Sequence, residues 1–232
     1  MLSFKHYSFD LWLTLIKSNP TFKEERAGYF YSNYNFKKKS FEEVKHIFRQ
    51  VDLMCNAINE KTGKNIDADE MYLLVISMIN ENEISLKAID TDSIYQDMEN
   101  LLFNYLPFVY CAETSGVLNH LKQKNNLTLS ILSNTGFIKG VTLRKVLKEL
   151  GLDYYFDFQL YSDETGLSKP NIYLFKLMLQ AVHENKKVPE IKLKEIIHIG
   201  DNPKADIEGA DAVGISSLLI NSNEKRILSL LN

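Results

Sequence analysis

The chain has 232 residues, a formal net charge of −3 and a hydrophobic content of 45%. This length suits one α/β domain with a large insertion or two small domains, and the hydrophobic content excludes a disordered chain. The weak negative charge argues against nucleic acid or an anionic membrane as the main partner. Cys55 and Cys111 form no zinc or disulfide motif, and no segment resembles a signal peptide or a membrane span. We therefore expect a cytoplasmic protein that binds neither nucleic acid nor membrane.

The first half of the chain predicts one strand followed by helices. A short apolar run delivers Asp10 at its end, as a strand would. Residues 19–105 then have almost entirely helical spacing. Ser40 and Glu43 form a capping box, and Gly63 stands where the helix that they begin should end. The apolar stripes of this segment predict a small helical bundle.

After Pro107 the pattern changes to strands that alternate with helices. Such alternation predicts an α/β fold with a doubly wound parallel sheet, into which the helical segment is inserted after the first strand. The predicted strands cover residues 4–9, 127–132, 156–161, 196–199 and 215–220. The predicted helices of this half cover residues 113–124, 141–150, 171–183, 207–212 and 224–231.

Several chemically reactive side chains are placed at or just beyond the ends of the predicted strands. Asp10, Ser133 and Asp201 each come after an apolar run, with Asp206 close behind, and Lys169 lies in the loop after the third predicted strand. Parallel strands present their carboxyl ends at one edge of a sheet, so these side chains should gather there. A carboxylate nucleophile, a hydroxyl, a lysine and further acids that favour Mg²⁺ together suit phosphoryl transfer.

Four short motifs, in order along the chain, resemble those of a known family. They are FDLWLTL at residues 9–15, ILSNTG at residues 131–136, GLSKP at residues 166–170 and IGDNPKAD at residues 199–206. With the helical insertion after the first motif, the sequence resembles the haloacid dehalogenase superfamily of phosphohydrolases over essentially its whole length. The resemblance implies a Rossmann-like catalytic core formed by residues 1–17 and 108–232, and an all-helical cap formed by residues 18–107.

The resemblance implies a role for the side chains that match the motifs. Asp10 would attack phosphorus and form an aspartyl-phosphate. Ser133 and the backbone amide of Asn134 would hold the transferring phosphoryl group. Lys169 would orient the nucleophile, offset charge and contact the phosphate. Trp12 would either contact the substrate or pack under the cap.

The resemblance also implies Mg²⁺ as a cofactor. Asp10, Asp201 and the backbone carbonyl of Trp12 would bind the ion, and Asp206 would belong to its site directly, through water or through Lys169. The implied activity is hydrolysis of a small phosphorylated metabolite. The identity of that metabolite and the oligomeric state of the protein do not follow from the residues.

The sequence departs from the family pattern beside the nucleophile. Phosphatases of the family carry a second aspartate two residues after the first, which protonates the leaving group, whereas this chain has Trp12. The next position, usually glycine in members with this kind of cap, is Leu13. General acid–base help is worth about 10²–10⁴ in rate, and an indole cannot supply it. We therefore expect weak hydrolysis of alkyl phosphates and better hydrolysis of aryl or acyl phosphates, whose leaving groups need no proton.

Three other functions are compatible with parts of the pattern. A metal-free dehalogenase would match the aromatic residue in place of the second aspartate, but dehalogenases have serine where this chain has Asp201. A non-catalytic binding protein on the same fold would explain the lost acid, although Asp10, Lys169, Asp201 and Asp206 are all present. A receiver domain of bacterial signalling uses similar groups, but its acid pair comes early in the chain and here the acid pair comes last.

Three further polar residues near the motifs have simpler interpretations. His198 lies on an apolar run and is interpreted as a core histidine satisfied by hydrogen bonds. Asn202 is placed to cap the helix that follows it. Asp163 is interpreted as loop surface, with a partnership with Lys169 as the alternative.

Overall fold

The protein is described by a computed structural model that covers residues 4–185, 187–188 and 190–231. The strands are β1 (His6–Phe9), β2 (Ile16–Lys17), β3 (Phe108–Val109), β4 (Thr128–Ser133), β5 (Phe158–Tyr161), β6 (Ile196–Gly200) and β7 (Ser216–Leu219). Five of them form one sheet of parallel pairs in the order β5-β4-β1-β6-β7, and β2 pairs with β3 in an antiparallel ribbon. The predicted doubly wound parallel sheet is confirmed.

Helices make up most of the remaining structure. They are α1 (Pro20–Asn33), α2 (Phe41–Thr62), α3 (Ala68–Ile79), α4 (Thr91–Asn104), α5 (Thr114–Lys122), α6 (Gly140–Glu149), α7 (Ser162–Thr165), α8 (Ile172–Glu184) and α9 (Gly209–Ala212). We refer to α1 to α4 and the loops between them, residues 20–104, as the helical insertion. Among the described residues, no helix combines the length and the apolar character needed to cross a membrane.

Two segments predicted as α-helices have a different helical structure. Residues 224–231 contain only a 3₁₀ turn, Ile227–Leu231, because Ile227 is the one residue of that turn that is buried and so little apolar surface anchors a helix. The segment predicted as a helix over 207–212 begins earlier as a π-helical stretch, Pro203–Glu208, before α9. Such stretches are frequent at functional sites.

The helical insertion forms as its local sequence signals predict. The Glu43 carboxylate accepts a hydrogen bond from the backbone N–H of Ser40 at 2.7 Å, which completes the capping box of α2. Gly63 ends that helix with a φ of 67°, a conformation that costs glycine little. The insertion has its own apolar core, in which the Phe30 ring lies 5.0 Å from the Phe48 ring and 5.5 Å from the Tyr72 ring, between ring centroids.

Strand β1 lies at the centre of the sheet and every one of its residues is buried. Its last residue, Phe9, is in register with Ile131 of β4 and with Ile199 of β6. The residues that follow β1, β4 and β6 therefore emerge at the same level of one edge. From β1 the sheet is extended through β4 and β5 on one side, and the chain then crosses back to add β6 and β7 on the other side of β1. The gap between β4 and β6 at the end of β1 is therefore the switch point where open parallel sheets bind ligands.

We expect Gly140→Ala to destabilise the protein because α6 begins in close contact with β5. A Cβ at position 140 would lie 2.6 Å from the Cβ of Tyr161, which is fully buried. We expect the free energy of unfolding, measured with urea, to fall by about 1–3 kcal/mol. Gly28→Ala is the control, since no atom lies within 4 Å of its added Cβ. That substitution in α1 should raise the same free energy by about 0.5–1 kcal/mol. Equal effects of the two substitutions would contradict this packing.

His6 should make the stability of the protein fall with decreasing pH. Its ring nitrogens lie 2.8 Å from Thr128 Oγ1 and 2.9 Å from Ser130 Oγ across the buried sheet. Burial lowers the pKa of His6 to about 3, against an opposing effect of Asp157.

Because the unfolded chain binds a proton at His6 near pH 6.5 and the folded chain does not, stability is lost as the pH falls from 6.5 toward 3. The expected contribution of His6 is about 1.4 kcal/mol per pH unit. Urea unfolding of the wild type and of His6→Gln at several pH values measures it. His6→Gln should show the shallower dependence on pH, and identical slopes would exclude His6 as the source.

Candidate active site

Asp10 lies at the carboxyl end of β1, almost completely buried, where the register with β6 fixes its backbone. Its N–H donates to the carbonyl of Ile199 at 2.8 Å. One carboxylate oxygen accepts hydrogen bonds from Ser133 Oγ at 3.0 Å and from Lys169 Nζ at 2.7 Å, and the other accepts one from Thr14 Oγ1 at 3.2 Å. Burial raises the pKa of Asp10, and the ammonium of Lys169 opposes that rise.

Lys169 stands between two carboxylates at the centre of the site. Its Nζ lies 2.7 Å from Asp10 Oδ1 and 2.6 Å from Asp206 Oδ1, and the whole residue is only 1% exposed. Burial disfavours the ammonium, but the two carboxylates outweigh that effect and raise the pKa of Lys169. The buried ammonium is tolerated because it donates hydrogen bonds directly to both carboxylates.

Asp206 connects the site to the core of the sheet. Burial disfavours its carboxylate, yet Lys169 and His198 hold the pKa of Asp206 well below its usual range. His198 Nε2 lies 3.1 Å from Asp206 Oδ1, and His198 Nδ1 lies 2.9 Å from Ser8 Oγ. His198 is therefore a fully buried core histidine with a partner at each ring nitrogen, as predicted.

Three acids converge at this edge in an arrangement that could hold a metal ion. Asp10, Asp201 and Asp206 each offer one carboxylate oxygen, and these oxygens all lie within 4.8 Å of one another. Burial, with the neighbouring charges of Asp10 and Asp206, raises the pKa of Asp201 to about 7. Oxygen ligands of this kind suit a hard cation such as Mg²⁺.

Two polar side chains shape the rest of the floor. Ser133 ends β4 and is fully buried, with its Oγ donating to Asp10. Asn134 uses its side chain on the backbone of Lys169, since its Oδ1 accepts from Lys169 N at 2.7 Å and its Nδ2 donates to Lys169 O at 3.1 Å. This pair of bonds fixes the lysine-bearing loop to the end of β4.

The turn after Asp10 contains a backbone conformation that usually requires glycine, although no glycine is present in the turn. Leu13 has a φ of 59°, in the left-handed region, and its N–H donates to Ile16 O at 2.7 Å. A leucine in that region is strained by about 1 kcal/mol or more. Leucine in place of glycine therefore raises the conformational free energy of the turn. It also places an apolar side chain, 51% exposed, at the mouth of the site.

The site opens into a cavity of about 350 Å³ enclosed by the helical insertion. Asp10, Trp12, Lys169, Asp201 and Asp206 line it from the side of the sheet. The residues that line it from α1 and α2 are Phe22, Lys23, Arg26, Arg49, Asp52, Asn56 and Glu60. Trp12 packs partly against the apolar core and also lines the cavity.

The helical insertion also holds the lysine-bearing loop from above. The carbonyl of Gly63 accepts hydrogen bonds from Ser168 N at 3.1 Å and from Asn171 Nδ2 at 2.9 Å. Asn65 Oδ1 accepts one from Ser162 Oγ at 2.7 Å. A Cβ at position 63 would lie 2.7 Å from Asn171 Nδ2, so glycine is needed here for close approach as well as for its φ.

The predicted role of Asn202 is confirmed, whereas both interpretations of Asp163 are wrong. Asn202 caps the following segment as predicted, because its Oδ1 accepts from Lys204 N at 2.9 Å and from Ala205 N at 3.0 Å. Asp163 is neither plain loop surface nor a partner of Lys169. Its carboxylate accepts from Gly140 N at 3.0 Å and thereby satisfies a free N–H at the start of α6.

The sequence analysis missed the cations that the helical insertion brings to the cavity. Arg26 lies on the buried face of α1 together with Phe22 and Phe30. Its spacing of four residues from each phenylalanine was the available signal, since an arginine within an apolar stripe is unusual.

The comparison with known proteins agrees with this geometry. The profile of the family described as haloacid dehalogenase-like hydrolase matches residues 4–214. A ribulose-1,5-bisphosphate 5-phosphatase of Halopiger xanaduensis is 32% identical over 105 residues, which are 45% of this chain and 41% of that protein. A glyceraldehyde 3-phosphate phosphatase of Methanothermobacter thermautotrophicus is 29% identical over 172 residues, which are 73% of this chain and 67% of that protein. The chain thus spans less than half the length of the first relative and two thirds of the second.

The crystal structure of the HAD-hydrolase YfnB of Bacillus subtilis, in a magnesium-bound form, superposes with a TM-score of 0.70 and 19% identity, over 96% of this chain and 91% of that one. That likeness shows the fold. The family profile covers nearly all of the chain, including the four motifs and the edge of the sheet at which their side chains meet. The chain therefore belongs to the haloacid dehalogenase-like hydrolase family.

Proposed function

We propose that this protein hydrolyses the phosphate ester or acyl phosphate of a small phosphorylated metabolite through an aspartyl-phosphate on Asp10. The observation that carries the proposal is the position of the Lys169 ammonium, 2.7 Å from Asp10 and 2.6 Å from Asp206, beside the hydroxyl of Ser133. Two relatives that are named as phosphatases of small phosphorylated metabolites support the substrate class.

The side chains of the site account for both halves of the reaction. A carboxylate oxygen of Asp10 attacks phosphorus, and the bond from phosphorus to the leaving-group oxygen breaks. Water then attacks the phosphorus of the aspartyl-phosphate, releases inorganic phosphate and restores the carboxylate. Ser133 is placed to donate to a phosphoryl oxygen, and Lys169 offsets the negative charge of the transferring group. The indole N–H of Trp12 is not acidic enough to protonate a leaving group, so the leaving group departs as an anion or takes its proton from water.

The cluster of acids supports Mg²⁺ as the cofactor. Asp10 and Asp201, with the backbone carbonyl of Trp12, would hold the ion, and Asp206 would complete the site directly or through Lys169. The bound ion would neutralise charge on the phosphoryl oxygens. The three carboxylates carry more negative charge than the single ammonium of Lys169 neutralises, and Asp201 forms no ion pair among the described residues. These oxygen donors therefore fit a bound cation such as Mg²⁺.

Residues 18–107 would act as a cap, and residues 1–17 with 108–232 as the catalytic core. The separate apolar core of the helical insertion supports this division, as does the cavity that both parts line. The cytoplasm would be the working compartment, which the two free cysteines, Cys55 and Cys111, support.

The first prediction concerns the nucleophile and the metal. The wild type should release p-nitrophenol from p-nitrophenyl phosphate when Mg²⁺ is present, and addition of EDTA should reduce the rate to background. Asp10→Asn should reduce it to background as well, because an amide does not attack phosphorus. Asp92→Asn is the matched control, since the same change is made to an exposed acid in the first turn of α4. Equal activity of Asp10→Asn and wild type would exclude Asp10 as the nucleophile.

The second prediction concerns the missing proton donor. Trp12→Asp places a carboxyl group where phosphatases of the family have their general acid. We expect it to raise kcat for an alkyl phosphate such as glucose 6-phosphate by at least tenfold, toward the 10²–10⁴ that general acid catalysis supplies. The initial burst of p-nitrophenolate from p-nitrophenyl phosphate, which reports formation of the aspartyl-phosphate, should change much less in rate, because p-nitrophenolate departs without a proton.

Trp12→Asn provides the control for this substitution. It loses the same packing against the apolar core but has no acidic proton. Equal rates of Trp12→Asp and Trp12→Asn on the alkyl phosphate would show that the missing acid does not limit the reaction.

A further inference from the structure

The wall of the cavity that faces the site carries more positive charge than its acids neutralise. Lys23, Arg26 and Arg49 reach it from α1 and α2. Arg49 is paired with Asp52, with 3.1 Å between Nη1 and Oδ2. Glu60 accepts a hydrogen bond from Asn202 at 2.9 Å, on the opposite wall.

Lys23 and Arg26 are left without an acidic partner. Neither takes part in an ion pair among the described residues. They lie three residues apart on α1. Burial lowers the pKa of Lys23, and the charge of Arg26 lowers it further, while Asp52 opposes the shift. Mutual repulsion of this kind is relieved when an anion binds between or beside two cations.

Arg26 is the more informative of the two because it is buried. It is 8% exposed, and its Nε is enclosed without any hydrogen-bond partner among the described atoms. Its guanidinium carbon lies 4.4 Å from the ring centroids of both Phe48 and Phe137 and 5.4 Å from that of Phe22. The aromatic faces stabilise the charge but leave a conventional N–H donor unused.

This arrangement is costly for a residue that only fills space. A buried guanidinium that lacks a hydrogen-bonded anion is unfavourable, and an apolar side chain of similar size would pack among the same rings without that cost. A guanidinium whose Nε–H is unused is, however, well suited to a carboxylate or a phosphate, which guanidinium groups often bind through two parallel hydrogen bonds.

We propose that the substrate carries a second anionic group, a carboxylate or a second phosphate, on its leaving-group side, and that Arg26 binds this group with help from Lys23. The inference rests on the proposed function for the position of the first phosphate, which lies at Asp10. The acids of the site and the cations of α1 line one cavity, so a small doubly charged metabolite would contact both. Arg26 then acts as a specificity-determining residue that touches the substrate away from the reacting phosphorus.

Two matched pairs of substrates test the proposal. In the pair 3-phosphoglycerate and glycerol 3-phosphate a carboxylate is present or absent, and in the pair fructose 1,6-bisphosphate and fructose 6-phosphate a second phosphate is present or absent. The wild type should prefer the more highly charged member of at least one pair by tenfold or more in kcat/KM. The pair in which the preference occurs identifies the anion.

Arg26→Met should remove that preference. We expect kcat/KM for the preferred substrate to fall about 30-fold or more, the loss typical of truncating one partner of a buried charge pair. The rate on p-nitrophenyl phosphate, which has no second anion, should change less than threefold, and this also reports whether the variant is folded. Lys23→Met should reduce the preference less. Arg226→Met is the matched control and should leave the preference unchanged, because Arg226 is exposed and lies outside the residues that line the cavity.

The outcomes separate this inference from the proposed function. Hydrolysis of p-nitrophenyl phosphate without a preference in either pair would overturn the inference and leave the phosphatase activity in place, as would a preference that survives in Arg26→Met. If no substrate is hydrolysed, the proposed function fails. The inference about Arg26 is then tested only by whether the more highly charged compounds bind more tightly. Thermal unfolding in the presence of each member of the two pairs, with Mg²⁺, should then show greater stabilisation by the charged member in the wild type and not in Arg26→Met.

Discussion

The buried ammonium of Lys169 is the interaction on which the site depends. It lies between Asp10 and Asp206, and each of the two carboxylates would be a costly buried charge without it. The ammonium in turn is held in place by its backbone, which the side chain of Asn134 fixes to the end of β4. Removal of the ammonium would leave two uncompensated carboxylates in the interior, so the assembly of the site depends on Lys169.

The helical insertion contributes to this site from outside the sheet. The carbonyl of Gly63 accepts hydrogen bonds from the loop that carries Lys169, and Glu60 bonds to Asn202 beside the acid cluster. The helical insertion is thereby connected to the edge of the sheet that carries Asp10 and Lys169. Arg26 of this insertion lines the same cavity as Asp10.

The turn between the nucleophile and β2 combines a familiar backbone with unfamiliar side chains. Leu13 adopts the left-handed conformation that glycine usually supplies, and Trp12 occupies the position of the usual proton donor. The fold therefore retains the geometry that positions Asp10 while changing the chemistry next to it. Under the proposed function, the leaving groups favoured by this site would be those that depart without protonation.

The sequence by itself determined the order and type of the main elements. The ends of the core strands could be predicted to within one or two residues, because an apolar run followed by a polar residue marks the end of a buried parallel strand. The gathering of Asp10, Ser133, Lys169, Asp201 and Asp206 at one edge also followed, since parallel strands have one carboxyl edge.

Only the tertiary structure decided what each of these side chains touches. The bond from Asn134 to the backbone of Lys169, the role of Asp163 as a partner of α6 and the buried Arg26 all depend on contacts between residues distant in sequence. Helical spacing predicts which face of α1 is covered, but not what covers it. The charge of the cavity wall follows from how the helical insertion packs on the sheet, which local sequence patterns do not encode.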